Sequence, residues 1–178
     1  ITKDNNLYHI QMSLFDVYKK EQLKGLRITV EADALNMAAH HLSDAVYQKI
    51  TGIPGVFTTR IAYVTSIFNE QNQPQYTLQV ADYDGANAIS IAQSKEPIMS
   101  PAWSPDGQQI GYVSFEHKVS EIFIQTLKTG ERKSVAKFKG INGSPAWSPD
   151  GKQLAITLSK DGNSDIYILT LANLSLRK

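Results

Sequence analysis

The sequence contains no cysteine, and this absence excludes disulfide bonds, thiolate metal sites and cysteine nucleophiles. Basic and acidic residues are nearly balanced, with 18 Lys and Arg against 17 Asp and Glu. Such a balance creates no field strong enough to indicate a nucleic acid or an anionic membrane as partner. The sequence also lacks the run of about 18 apolar residues that predicts a membrane span. We therefore expect no nucleic acid partner and no direct membrane insertion.

The common catalytic fingerprints are missing as well. The sequence contains no Gly-x-Ser-x-Gly elbow, no His-Glu-x-x-His pair, no P-loop and no Gly-x-Gly-x-x-Gly dinucleotide motif. The apolar fraction of 42% and the charged fraction of 20% are those of a globular protein with a buried core. These features predict a protein that is not an enzyme, with no catalytic residue and no cofactor.

The first part of the chain has the pattern of a β-hairpin followed by a helix. Apolar and polar residues alternate in residues 7–18 and again in residues 26–30, which predicts two antiparallel strands. Asp33 is a suitable N-cap for a helix, and Gly52 is a suitable stop because glycine readily adopts the left-handed conformation. Between them, apolar residues recur at helical spacing: Leu35, Ala38, Leu42, Ala45, Val46 and Ile50. We place a domain boundary after residue 55.

The rest of the chain is built from a sequence repeat. Residues 100–107 and 144–151 both read Ser-Pro-Ala-Trp-Ser-Pro-Asp-Gly, an identity over eight positions at a distance of 44 residues. Residues 60–84 contain a fainter third copy. A period near 44, made of short strands and Gly, Pro and Asp turns, is typical of a β-propeller blade. We predict that residues 56–178 form two and a half to three blades.

Two features of the repeated motif suggest chemistry and have a simpler structural explanation. Trp103 and Trp147 occupy the same repeat position, which indicates packing between blades and not the stacking of a ligand. Asp106 and Asp150 each stand in a Pro-Asp-Gly turn, where an aspartate commonly binds its own backbone. We interpret all four side chains as scaffold.

No metal site is predicted. His40 and Asp44 lie four residues apart on the predicted helix, so they share a face, but a third ligand is not evident nearby. We interpret them as part of a solvated polar face. Residues 161–165 resemble the start of a calcium loop, but Gly162 comes too early and no Glu occupies the twelfth position.

The loops that lead into the innermost strand of each blade meet at the mouth of a propeller channel and are the candidates for binding a partner. In this sequence they are residues 94–100 and 137–144. Ile98, Met99 and Ile141 are apolar residues in otherwise polar loops, so they are candidate anchors, although packing between blades would also explain them. The predicted partner-binding residues are Glu96, Ile98, Met99, Ser100, Ile141, Asn142, Gly143 and Ser144.

Several segments together closely resemble the TolB family, the periplasmic propeller proteins of the Tol-Pal system. They are residues 52–57, Thr-Arg-Ile-Ala-Tyr-Val at residues 59–64, Asp-Tyr-Asp-Gly at residues 82–85 and the motif at residues 100–107. The Ser-Pro-Asp-Gly turn also occurs in other propellers, but its combination with the other segments after a helix is specific. The resemblance spans nearly the whole chain. It implies an α+β N-terminal domain, of which residues 1–55 are the C-terminal part, followed by the all-β blades of a six-bladed propeller.

The resemblance also implies a binding function in the periplasm of Gram-negative bacteria. The family binds the peptidoglycan-associated lipoprotein Pal through the propeller and TolA through an extreme N-terminal segment, and colicins exploit it. It supports outer-membrane integrity and cell division. Residues 141–144 correspond to the Pal-contacting loop, with Ile141 where some relatives have His. Because six blades of about 40 to 45 residues exceed this chain, we expect it to be part of a longer protein, without the signal peptide, the TolA-binding segment and the later blades.

Two other classes of function stay open at this point. A propeller can gate the hydrolase domain of a prolyl oligopeptidase-like serine peptidase, which a Gly-x-Ser-x-Gly domain downstream of the blades would reveal. A propeller can also bind a small ligand or a sugar in its channel through convergent polar groups. The hairpin and helix that precede the blades favour the TolB-like adaptor.

Overall fold

The structure, a computed structural model, describes residues 1–178 and contains one α-helix and fourteen β-strands in four sheets. The chain divides into two compact units. The first comprises residues 1–61 and 82–86, and the second comprises residues 62–81 and 87–178. The helix does not have the length and apolar composition that crossing a membrane requires.

The first unit begins with the predicted hairpin, which is confirmed. Strands β1 (Thr2–Asp4), β2 (Leu7–Asp16) and β3 (Glu21–Glu31) form a sheet in the order β1-β2-β3. Residues of β2 alternate between exposed and half-buried, as the alternation of polar and apolar residues predicts. Helix α1 (Leu35–Thr51) packs against β2 and β3.

The sequence predicts one end of α1 correctly and the other incorrectly. Asp33 lies in a short 3-10 turn, Ala32–Ala34, that precedes the helix, and no side chain caps the helix N-terminus. The prediction that Asp33 is the N-cap is therefore wrong, because the tighter turn places Ala34 at the capping position. The predicted stop is confirmed: Gly52 has a φ of 77° and its N–H donates to the carbonyl of Gln48 at 2.9 Å.

The polar side of α1 is not the solvated face that the sequence suggests. His40 is 6% exposed. Asp44 accepts hydrogen bonds from the N–H groups of Phe57 and Thr58 at 2.8 and 3.1 Å, and from the Thr58 hydroxyl at 2.6 Å. These bonds, above all that of the Thr58 hydroxyl, hold the pKa of the Asp44 carboxyl below its ordinary value. The interpretation of His40 and Asp44 as a solvated pair is therefore wrong, because the carboxylate ties the helix to the segment that follows it.

The other strands form three blade-like sheets, as the repeat predicts. The first sheet has three strands and the second and third have four each. The first consists of β4 (Arg60–Phe68), β5 (Pro74–Asp82) and β6 (Ile89–Ser94). The second consists of β7 (Ile98–Trp103), β8 (Gln109–Ser114), β9 (Glu121–Thr126) and β10 (Arg132–Ala136). The third consists of β11 (Asn142–Trp147), β12 (Gln153–Leu158), β13 (Asp165–Thr170) and β14 (Ser175–Arg177).

The apolar cores of the second unit lie between neighbouring sheets. One cluster joins Leu78 of the first sheet to Tyr112 of the second, and another joins Ile122 of the second sheet to Leu154 of the third. Phe123, the next residue along β9, belongs to the first of these clusters, because successive side chains of a strand point to opposite faces. Both faces of the middle sheet are therefore buried.

The repeated tryptophans lie where packing between blades predicts them. The indole N–H of Trp147, on β11, donates to the carbonyl of Ala102, on β7 of the neighbouring sheet, at 3.1 Å. Trp103 packs against the cluster between the first and second sheets. Gly111 lies beside Trp147, and a Cβ at that position would come within 3.4 Å of the indole nitrogen. These contacts confirm that both tryptophans belong to the scaffold.

Each repeated Ser-Pro-Asp-Gly turn is closed by the same side-chain hydrogen bonds. In the first turn, the Ser104 hydroxyl donates to Asp106 at 2.6 Å and accepts from the N–H of Gln109 at 2.9 Å. The second turn repeats both bonds at Ser148 and Asp150. The serine hydroxyl is the main reason why the pKa of each aspartate lies below its ordinary value. The two aspartates therefore stabilise their own turns, as predicted.

These turns should make the stability of the second unit depend on pH. Folding lowers the pKa of Asp106 and Asp150, so their contribution is full above the ordinary carboxyl pKa of 3.8 and is lost as the pH falls through the lowered folded-state value. Replacing both residues by asparagine removes this titration. Between about pH 5 and pH 3, the urea unfolding midpoint of the double variant should therefore fall less than that of the wild type. Equal losses in the two proteins would contradict this role.

Candidate functional site

The candidate binding surface consists of three segments at one end of the stacked sheets, residues 95–100, 115–120 and 137–144, which we call the rim loops. The first and the third include the opening residues of strands β7 and β11. The N–H of Phe115 donates to the carbonyl of Pro97 at 3.0 Å, and the N–H of Ser159 donates to the carbonyl of Ile141 at 3.1 Å. The two bonds are 44 residues apart and lie at matching points of the repeat. Pro97 and Ile141 therefore occupy equivalent positions in neighbouring sheets.

The first rim loop contains both accessible and buried residues. The Glu96 carboxylate forms an ion pair with Lys118 of the second rim loop. Met99 is 48% exposed, whereas Ile98 is 5% exposed and belongs to the core between the first and second sheets. Ser100 has a positive φ of 52°. It lies where the pairing register between β7 and β8 shifts, as at a β-bulge.

Asn142 holds the third rim loop in shape and is itself almost fully buried, with 1% of its surface exposed. Its side-chain oxygen accepts from the N–H of Phe138 at 2.8 Å. Its side-chain nitrogen donates to the carbonyls of Phe138 and Gly140 at 2.8 and 3.3 Å. Its backbone N–H donates to the Ser120 hydroxyl at 2.8 Å, which ties this loop to the second rim loop.

Burial therefore narrows the predicted site. A partner cannot reach Ile98 or Asn142, so we reassign both as residues that position the loops. Sequence patterns did not separate them from their exposed neighbours, because burial here depends on the adjoining sheet. The predicted residues that the structure leaves exposed or half-buried are Glu96, Met99, Ser100, Ile141, Gly143 and Ser144.

Val119 is an exposed apolar residue of the second rim loop that the sequence analysis missed. It is 47% exposed and adjoins Ser120, whose hydroxyl binds the residue after Ile141. The second rim loop joins β8 to β9 and does not lead into an innermost strand, so the rule that selected loops from the sequence left it out. Together with Met99, 48% exposed, and Ile141, 55% exposed, Val119 completes the set of large exposed apolar side chains on the rim loops.

The charged groups at the rim form ion pairs in which the cation is the more exposed partner. Glu121, 4% exposed, lies 2.8 Å from Nδ1 of His117 and 3.3 Å from Nζ of Lys137. Burial raises the pKa of this carboxyl, but hydrogen bonds from Ser134, His117 and Lys137 outweigh burial and hold the pKa below its ordinary value. The side chains of His117, Lys118 and Lys137 are 54, 77 and 52% exposed. The rim therefore presents apolar and basic groups to solvent.

The stacked sheets and the loops at their end define the class of protein, a β-propeller. Residues 47–178, more than half of the chain, match the family model described as the TolB beta propeller domain. The chain belongs to the TolB propeller family. The resemblance inferred from the sequence is confirmed, and so is the predicted fold class of a helix-containing N-terminal region followed by propeller blades.

Three known proteins show how far the similarity extends. The Tol-Pal system protein TolB of Nitrosococcus oceani is 55% identical over 135 residues, which are 76% of this chain and 31% of that protein. The crystal structure of TolB from Acinetobacter baumannii has a TM-score of 0.92 and 41% identity, over 99% of this chain and 44% of that chain. The β-propeller domain of the Trilobed protease from Pyrococcus furiosus has a TM-score of 0.54 and 24% identity, over 67% of this chain and 38% of that chain. The last likeness shows the fold alone.

The chain spans much less than the whole of these relatives. The alignment covers 31% of the curated TolB protein and 44% of the TolB crystal structure. We therefore treat the function of a whole TolB protein as a proposal for this chain.

Replacing Asn142 by alanine should destabilise the second unit, because the backbone groups of Phe138 and Gly140 lose the hydrogen bonds of a buried side chain. We expect the free energy of unfolding to fall by about 1 to 3 kcal/mol, measured by urea denaturation. Ser144→Ala, at an exposed position of the same loop, is the matched control and should change it by less than about 0.5 kcal/mol. Equal effects of the two substitutions would show that Asn142 does not hold the loop.

Proposed function

We propose that this chain is the blade-bearing part of a periplasmic Tol-Pal adaptor that binds the lipoprotein Pal through the rim loops. In this role the protein supports outer-membrane integrity and constriction of the cell envelope during division. The observation that carries the proposal is the set of exposed apolar side chains on the rim loops: Met99, Val119 and Ile141. Membership of the TolB family supports the choice of partner, because relatives are named Tol-Pal system proteins.

Ile141 has the properties of an interface anchor. Its N–H donates to the Ser159 hydroxyl at 2.7 Å and its carbonyl accepts from the Ser159 N–H at 3.1 Å, while the residue stays 55% exposed. The backbone is therefore fixed before a partner arrives. A preorganised apolar anchor loses little conformational entropy on binding, which favours affinity.

The charges of the rim suggest the character of the complementary surface. His117, Lys118 and Lys137 are more exposed than the carboxylates with which they pair. A partner surface with apolar pockets and acidic side chains would complement this arrangement. Because these cations are exposed, they would act mainly on the rate of encounter and would be screened by salt.

The other parts of the proposal rest on the family. TolA is proposed as a further partner of the whole protein, and colicins are proposed as parasitic ligands. The periplasmic location and the closure of the blades into a six-bladed ring are proposals of the same kind. We keep the division into residues 1–55, part of the α/β domain, and residues 56–178, propeller blades, as a proposal.

The two alternative classes have weaker support. The likeness to a protease propeller is one of fold alone, so it does not favour a gating role beside a hydrolase domain. For a small ligand, convergent polar groups would be needed. The buried polar side chains at the rim instead bind the loops themselves, as Asn142 and Ser120 do. We therefore propose a protein-binding role and no catalysis.

The proposal is tested by titrating the chain with the soluble domain of Pal in a calorimeter. Wild type should bind, and Ile141→Asp should weaken binding by about tenfold or more, because a charge replaces an apolar anchor. Val17→Asp is the matched control: Val17 is an exposed aliphatic residue, 76% accessible, in the turn between β2 and β3. The control makes the same change of charge and should leave the affinity unchanged.

Two outcomes would count against the proposal, and they separate its parts. If wild type does not bind Pal, the adaptor function of this chain is wrong. If Ile141→Asp binds as tightly as wild type, Pal binds elsewhere and the rim loops are not the site. Circular dichroism of both variants establishes that neither substitution unfolds the chain.

A further inference from the structure

The first unit contains a buried imidazole with no hydrogen-bond partner for one of its nitrogens. His40, on α1, is 6% exposed, and its Nε2 atom is buried and makes no hydrogen bond. The ring lies edge-on to Tyr83, with ring centroids 4.8 Å apart. Buried polar atoms are nearly always paired, because an unpaired one loses its hydration without compensation. A ligand that is bound by Nε2 would therefore supply the partner that the chain itself does not.

Two carboxylates lie close to the imidazole, and Nε2 is nearest to that of Asp84. It lies 3.4 Å from Oδ2 of Asp84, and one ligand atom each from His40, Asp82 and Asp84 lies within 4.8 Å of the others. Asp82 is 6% exposed and takes part in other interactions of the structure. It would bind a ligand in addition to these partners. All three residues belong to the first compact unit.

The backbone holds the two carboxylates in place. The N–H of Asp82 donates to the carbonyl of Ala86 and the N–H of Gly85 donates to the carbonyl of Asp82, both at 2.9 Å. Gly85 adopts a φ of 84°, which allows this tight turn. Oδ1 of Asp84 accepts from the N–H of Ala86 at 2.9 Å, so the other oxygen, Oδ2, is the one that faces His40.

The spacing suits a small divalent cation better than a direct contact. Two ligand atoms about 2.1 Å from an ion at the tetrahedral angle lie about 3.4 Å apart, whereas a direct N–H···O bond is closer, at about 2.9 to 3.0 Å. An imidazole nitrogen with two carboxylates is a donor set typical of Zn²⁺ and its neighbours, while Ca²⁺ and Mg²⁺ prefer oxygen ligands alone. The Asp84 side chain is 37% exposed, which leaves a route from solvent and room for a water ligand.

We infer that His40, Asp82 and Asp84 form a binding site for a divalent transition-metal ion of the Zn²⁺ class. From the sequence, the natural partner of His40 is Asp44, one helical turn away, and a third ligand is not evident. In the structure Asp44 binds Phe57 and Thr58 instead. An ion at this site joins α1 to the turn that follows β5, so it stabilises the first unit.

Metal binding is tested on the chain after removal of metals with a chelator. Calorimetric titration with Zn²⁺ should give one ion per chain, and Co²⁺ should give the visible d–d absorption of a low-symmetry nitrogen and oxygen site. His40→Gln and Asp84→Asn should each weaken Zn²⁺ binding by more than about 100-fold, beyond the roughly 10- to 100-fold that loss of an outer-shell group causes. Asp84→Asn changes an exposed side chain, so it tests the site even if His40→Gln fails to fold.

Two matched histidine variants serve as controls. His41, the exposed neighbour of His40 on the same helix, and His117, which pairs with Glu121, should both be replaceable by glutamine without loss of the ion. Zn²⁺ should also raise the thermal unfolding midpoint of wild type and His41→Gln but not that of Asp84→Asn. The inference is overturned if wild type binds no ion, if Asp84→Asn binds Zn²⁺ as wild type does, or if the ion is lost with His117. Each of these results would mean that His40 and Asp84 do not bind an ion together.

Discussion

The middle blade of this protein has two apolar faces, and it buries both because it lies between two neighbouring sheets. Ile122 and Phe123 are consecutive residues of β9, yet they belong to different cores, one on each side of the sheet. Burial of apolar area is the dominant favourable contribution to folding, and here it arises between sheets. The hydrogen bond from the Trp147 indole to the carbonyl of Ala102 connects the same two sheets. The other features of the second unit depend on this stacking.

The rim loops depend on the stacking most directly. The N–H of Asn142 donates to the Ser120 hydroxyl of the neighbouring blade, and the N–H of Ile141 donates to the Ser159 hydroxyl of its own blade. The loop is therefore held by two sheets whose separation is set by the core between them. The backbone that carries exposed side chains such as Ile141 is held by hydrogen bonds to less exposed polar groups. The loop is therefore rigid enough for an exposed apolar side chain to bind a partner with little loss of entropy.

Much of the fold could be predicted from the sequence because its signals are local or repeated. The copies of the Trp-Ser-Pro-Asp-Gly motif, 44 residues apart, predict the blades, and their turns close within six residues through Ser104 and Asp106. The helix stop at Gly52 is equally local. Asp33 shows the limit of such signals. Its side chain suits a helix N-terminus, but a 3-10 turn occupies the same residues, and residue type does not fix a helix boundary to within one or two positions.

The candidate sites could be predicted in part. Residue type and repeat position were sufficient to identify the strands, the turns, the family and two of the three loops that form the rim. They were insufficient to show that Met99 is 48% exposed and its neighbour Ile98 is 5% exposed, or that His40 faces Asp84 and not Asp44. The physical reason is the range of the interactions. Propensity and periodicity act over a few residues, whereas burial and the approach of charged groups are set by elements from distant parts of the chain, which come together when the sheets and the helix pack.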